Sequence, residues 1–233
     1  MKRKLFLAVL MLVLGIGLNA QQLLSPSYGF SKKKTSYVTL ENGTEIKGTL
    51  TDIDYKKGLI KLIKIEDGTG TKHKLKPSSV KFMYLPPSGL DKLSNAMDFA
   101  TDAQKWNNEK LNQDFLNQGY VYFETVNVKI KKKTAPMLMQ LLNPTFSKKV
   151  KVYHDPFAKE TASIGVAGVK AVGGNAKSYY IMLDSDPAAY KIEKKKYKKE
   201  FKALWDKCSN LTQITDVKWN DLVDHVIKYT ECK

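Results

Sequence analysis

Tyr37-Val38-Thr39-Leu40-Glu41-Asn42-Gly43-Thr44-Glu45-Ile46-Lys47-Gly48-Thr49-Leu50-Thr51-Asp52-Ile53-Asp54 is the stretch on which the fold turns. Tyr37 to Leu40 alternates and runs into Asn42-Gly43. Asn-Gly is a strong hairpin signal, because both central positions of the tight turn need positive φ. Glu45 to Thr51 follows with Ile46, Gly48 and Leu50 on one face. A glycine inside a strand marks a sharp bend or a close backbone approach. Asp54-Tyr55-Lys56-Lys57-Gly58 reads as a turn, Leu59 to Glu66 as a β-branched strand, and Asp67-Gly68-Thr69-Gly70 as another turn. Thr71 to Lys76 and, after Pro77-Ser78-Ser79, Val80 to Leu85 complete the set. Five short strands separated by turn chemistry over residues 37–85 predict a small five-stranded β-barrel.

The spacing Val38-x-Leu40-x-Asn42-Gly43-x-x-Ile46-x-Gly48-x-Leu50-x-x-Ile53-Asp54 resembles the first sequence motif of Sm-like proteins. The barrel it implies is SH3-like or Sm-like. Sm-like proteins hold an RNA base with an Asn shortly after the motif's Asp, whereas Asp54 is followed here by Tyr55-Lys56-Lys57-Gly58. Lys76-Pro77-Ser78-Ser79-Val80 stands where the second motif carries Arg-Gly. The resemblance therefore implies the barrel without the RNA site, and nucleic acid is not an expected partner.

Upstream, Lys2-Arg3-Lys4 precedes an apolar run from Leu5 to Leu18, and Leu18-Asn19-Ala20 offers a cleavage point before Gln21. The run spans 14 residues, short of the roughly 20 a membrane-spanning helix needs. Residues 1–20 are thus expected to be a signal peptide. The mature chain is then secreted or periplasmic, with residues 21–36 as an N-terminal arm and no transmembrane segment.

The whole chain carries 39 Lys+Arg against 23 Asp+Glu, a formal charge of +16. Loss of Lys2, Arg3 and Lys4 leaves 16 − 3 = +13, and every remaining basic residue is lysine. Arginine's planar fork suits bidentate recognition of phosphate, carboxylate or guanine. Lysine supplies a hydrated point charge, fit for diffuse attraction to an anionic polymer or surface. Two clusters are candidates for anion binding: Lys72, Lys74 and Lys76 on one face of the fourth strand, and Lys194, Lys195, Lys196, Lys198 and Lys199 on a later helix. Solvated surface, and protection of an exposed strand edge, are the competing readings.

Downstream, Pro86-Pro87-Ser88-Gly89 marks a boundary, and residues 86–118 read as linker and helix ended by Gly119. Residues 119–233 read as an α+β domain. Its strands are expected at Tyr120 to Ile130, Lys149 to His154 and Ser178 to Leu183, with a short helix from Pro136 to Leu142. Tyr197, Phe201, Leu204, Trp205 and Cys208 recur at the helical period, within a lysine-rich helix read from Lys191 onward. Trp219, Leu222, Val223, Val226 and Ile227 give a matching face on a second helix. Cys208 and Cys232, the only two cysteines, end these helices and are expected to form a disulfide in an exported protein. The fold class expected is α+β: an N-terminal five-stranded barrel, a helical connector, and a C-terminal mixed sheet with a disulfide-clipped helical pair.

The second half also looks similar to a set of uncharacterised exported proteins of Gram-negative bacteria, a resemblance that spans most of the mature chain. Leu141-Leu142-Asn143-Pro144, Lys151 to Pro156, Ser178-Tyr179-Tyr180 and the Tyr197-to-Cys208 helix carry the likeness. It implies export and no particular activity.

Chemistry is sparse. His73, His154 and His225 stand at no metal-ligand spacing, and no cofactor motif is present. Asp52-x-Asp54 and Asp184-x-Asp186 lack the continuation of a calcium loop and read as turns. His154-Asp155 admits a hydrolase with His154 as general base, although Asp-Pro after a strand is also ordinary turn chemistry. The leading expectation is a non-catalytic exported protein that contacts an envelope partner or an anionic polymer. The hydrolase and the lysine-based polyanion binder are the alternatives.

Overall fold

The computed structural model describes residues 23–56, 58–89, 110–158, 165–166, 169–170 and 176–232. The expected signal peptide, and the helical stretch from Leu90 to residue 109, lie outside the described residues. Five strands occupy the first part: β1 (Thr35–Leu40), β2 (Glu45–Lys56), β3 (Leu59–Asp67), β4 (Lys72–Leu75) and β5 (Val80–Leu85). At the first hairpin Gly43 takes φ +86° but Asn42 does not take positive φ. The loop is therefore a longer turn closed by a left-handed glycine and not the two-residue turn expected of Asn-Gly. A short helix α1 (Gln113–Asn117) leads to β6 (Val121–Ile130), β7 (Lys133–Gln140) and β8 (Val150–His154). A two-residue pair, β9 (Gly165–Val166) with β10 (Val169–Lys170), precedes β11 (Ser178–Leu183) and β12 (Ala189–Glu193). Helices α2 (Lys194–Leu204), α3 (Ser209–Thr212) and α4 (Leu222–Glu231) finish the chain.

The expected separate barrel is not formed. One ten-stranded mixed sheet runs in the order β4-β3-β2-β1-β5-β6-β12-β11-β8, with β7 on β6, and it does not close. The five N-terminal strands lie near their expected positions, but β5 pairs onward with β6 through Leu85↔Val121 to Phe82↔Glu124 instead of closing on its own group. Farther along, β6 pairs with β12 in parallel, Ala189 opposite Val128 and Tyr190 opposite Lys129. The boundary read at Pro86 is therefore crossed by the sheet itself.

Two further expectations are corrected. Pro136 to Leu142 is not a helix; most of it lies in β7, paired with β6 from Ile130↔Lys133 to Phe123↔Gln140. Its Met and Leu residues favour a helix in isolation, and tertiary pairing overrides that weak preference. Lys191 belongs to β12 and not to the lysine-rich helix, which begins at Lys194.

The sheet has one core on one face and two on the other. Alternation along β6 sends Val121 and Phe123 into the hollow of the curled N-terminal strands, among Val38, Ile63, Ile65 and Met83. Tyr122, Val126 and Val128 point to the opposite face, shared by both halves. There Tyr84 and Tyr122 from one half meet Tyr153 and Tyr180 from the other. The remaining core sits between β8, β11, β12 and the helices, where Val152, Ile181 and Ile192 meet Phe201, Trp205 and Val226. The apolar stripe of α2 is thus spent on the protein's own sheet.

Candidate functional site

The curl of the N-terminal strands leaves a seam where β3 and β7 approach without pairing. A cavity of about 480 Å³ opens there, lined by Leu59, Ile60, Lys61 and Leu62 on β3, Lys76 and Pro77 after β4, and Pro136 to Leu138 on β7. A smaller depression of about 40 Å³ continues past Leu59, Ile60 and Leu138, which it shares with the larger one, to Gln140, Tyr28 and His154. Register explains the apolar wall: Leu138 stands opposite Thr125, on the side of β6 that faces the inner core. Asp54, the acid at the larger cavity, is tied to Lys64, whose Nζ lies 3.4 Å from Asp54 Oδ2 and 2.7 Å from Asp52 Oδ2. The Lys64 bond holds the Asp52 carboxyl below its ordinary range. Lys61 and Lys76 take part in no ion pair among the described residues, so the rim is net positive.

The anion-binding candidates are not brought together. Lys72, Lys74 and Lys76 are exposed on or just after β4, the edge of the sheet, and Lys72 lies 3.9 Å from Glu66. Lys194, Lys195, Lys196, Lys198 and Lys199 are exposed on α2. Two of these already turn back on Glu193, with Lys196 at 2.7 Å and Lys195 at 3.6 Å. Of the two sets, Lys76 is the one residue that borders the seam.

His154 ends β8 with Nε2 3.3 Å from Tyr28 Oη, the rings edge to face at 5.6 Å. Its neighbour Asp155 is fully buried and engaged elsewhere. Ser178 Oγ donates to Asp155 Oδ2 at 2.6 Å, and Lys191 Nζ lies 2.7 Å from the same oxygen. Asp155 Oδ1 accepts from the Phe157 amide at 3.0 Å, the Asx turn that Asp-Pro announces. The pair His154-Asp155 is therefore adjacent in sequence and not in function.

A second, partly buried charged cluster was not anticipated. Glu124 on β6 accepts from Lys151 Nζ at 2.9 and 2.8 Å and from Tyr153 Oη at 2.8 Å. Burial and the Glu124 charge push the Tyr153 and Tyr122 phenols well above their usual range, so both stay neutral. Tyr153 is a donor to the carboxylate and no nucleophile, and the cluster ties β6 to β8. Alternation in Tyr120 to Ile130 placed Tyr122 and Glu124 on one side, but the partners from β8 are visible only in the folded chain.

The disulfide expected between Cys208 and Cys232 is present, with Cα atoms 5.6 Å apart. Lys149 Nζ donates to the Cys232 carbonyl, fastening the clip to the start of β8. No helix among the described residues is long and apolar enough to cross a membrane, and none of their His, Cys, Asp and Glu side chains cluster as a metal site. Comparison with protein-family models, with curated proteins and with solved structures finds no match to this chain.

Proposed function

We propose that this chain is an exported, non-catalytic binding protein of the cell envelope that holds its partner along the seam between β3 and β7. One observation carries the reading: a cavity of about 480 Å³ with an apolar wall and a net-positive rim, at the place where the sheet stays open. That volume falls within the ordinary range of ligand sites, roughly 300–1,000 Å³. The polar clusters elsewhere have structural duties, Asp155 joining β8, β11 and β12, and Glu124 joining β6 and β8. A hydrolase built on His154 has less support, since the depression at His154 measures about 40 Å³ and its neighbouring carboxylate serves Lys191 and Ser178. Export is favoured by the basic-then-apolar leader and by a disulfide suited to an oxidising compartment.

A photoreactive residue placed at Lys61 in the exporting cell tests the reading, with Lys47, which borders neither depression, as control. The expected result is one discrete cross-linked species from position 61 and none from position 47. Equal labelling from both positions, or none from either, overturns it. Intact mass of the recovered protein should also correspond to a chain beginning at Gln21.

A further inference from the structure

The seam is bordered by strand edges as well as by side chains. β3 pairs with β4 only through Ile63 to Glu66, so Leu59 to Leu62 has no strand on that side among the described residues. β7 pairs with β6 along one edge. Pro136, opposite Asn127, shows which of its backbone groups face outward. Proline has no N–H to give, so in a ladder it occupies a position directed away from its partner strand. The flanking bonds agree: the Leu141 amide donates inward to the Tyr122 carbonyl at 3.1 Å, and the Leu142 amide donates outward to the Val152 carbonyl of β8 at 2.8 Å. Alternation then turns the Leu138 amide and carbonyl, and the Pro136 carbonyl, toward the seam.

We infer that the seam takes an extended acidic segment of a partner protein, which adds to the β7 edge as a further strand. This rests on the seam-binding reading above and names its ligand. Strand addition supplies affinity through main-chain bonds and specificity through alternate side chains. Here the inward positions of the incoming strand meet Ile60 and Leu138, and its outward positions meet Lys61 and Lys76. Lys64 offsets Asp54 only in part, because it is shared with Asp52, but Lys61 and Lys76 outweigh the remaining negative charge. A second copy of this chain is a poor occupant, since each mature copy carries about +13 and like charges across an interface repel. A polysaccharide would satisfy the lysines and leave the strand edges and apolar wall unused.

The test titrates the mature chain with a fluorescent heptapeptide, Glu-Val-Glu-Leu-Glu-Val-Glu, blocked at both ends. Two analogues carry N-methyl groups on alternate residues, one set on each edge, and a third has Lys for every Glu. Binding of the acidic peptide is expected, with none for the lysine analogue. One N-methyl set should weaken it about tenfold, the loss of main-chain bonds. The double substitution Lys61→Glu with Lys76→Glu, at solvent-exposed positions, should weaken it by at least as much, and amide exchange at Leu138 should slow when peptide is bound.

Failure of the acidic peptide to bind, or equal binding of both N-methyl analogues, overturns the inference. Unchanged binding to the double variant does so as well. Heparin that binds with the same dependence on Lys61 and Lys76 while displacing the peptide replaces it with an anionic polymer. If every peptide fails while position 61 still cross-links in cells, seam binding survives and the strand chemistry falls. If the cross-link is also missing, both fall.

Discussion

The two ends of the sheet bury the same face in opposite ways. The N-terminal strands curl until the sheet covers itself, and the hollow is filled by aliphatic side chains, Met83 and Phe123. The C-terminal strands stay open and recruit helices, whose core holds a linked polar trio. Trp205 Nε1 donates to Tyr197 Oη at 3.2 Å, and Tyr197 Oη is hydrogen-bonded to His225 Nδ1 at 2.9 Å. Self-covering needs no extra elements but leaves a seam. Helix covering removes the seam and introduces polar groups that must be satisfied, along with a disulfide to hold the last helix down. The proposed binding surface falls in the half that covers itself, where strand edges stay unpaired among the described residues.

The shared face argues that the halves unfold together, since Tyr84 and Tyr122 pack in one cluster with Tyr153 and Tyr180. Trp205→Ala is the hardest test. Trp205 is fully buried, and emptying such a site costs about 4 kcal/mol. A single denaturation transition shifted to lower urea is expected; a split into two transitions would show that the continuous sheet is not one cooperative unit. Replacing Cys208 and Cys232 together by Ser should remove about 3.5 kcal/mol by the chain-entropy argument. Alkylation of both cysteines in the native, unreduced protein would mean that no clip exists.

In the curled half the sharpest probe adds atoms instead of deleting them. A Cβ at Gly48 would lie 2.7 Å from Ile65 Cγ2 and press on the Glu66 carbonyl oxygen. Gly48→Ala should destabilise by about 2 kcal/mol, and a neutral result would show that β2 and β3 can separate without loss. The smallest effect is the pH response of the helix-covered core. Burial lowers the His225 pKa from its ordinary 6.5, so the unfolded chain takes up this proton at higher pH than the folded one. Its contribution to stability is whole above pH 6.5 and drains away as the pH falls below that value. The imidazole should titrate below 6.5 by NMR, with the urea midpoint declining through the same interval; titration at or above 6.5 contradicts the buried trio.

Much of the secondary structure was legible because its signals are local. Asn42-Gly43 and Asp67-Gly68 punctuated strands that occur close to where they were read, and the period of Tyr197, Phe201, Leu204 and Trp205 identified the buried stripe of α2. β12 was missed because Ala189 to Glu193 is short and runs straight into lysines. β7 was misread because its outward-facing Pro136 looks like a helix start when β6 is not in view. Of the seam, sequence pointed only to Lys76; Ile60, Lys61 and Leu138 carry no local mark, since their meaning depends on strands nearly 80 positions apart along the chain.

What the sequence determined by itself is the alternation of each strand, the hairpin turns, the excess of lysine and the pairing of the only two cysteines. Each follows from neighbouring residues or from a simple count. Tertiary structure alone decided that β5 hands the sheet on to β6 instead of closing a barrel, and that β3 and β7 stop short of each other. Five strands present the same alternation whether they close or continue. The choice depends on which distant edge is available to satisfy the last strand's backbone groups and to bury Val121 and Phe123. In this chain that edge is β6, and the open seam is the consequence.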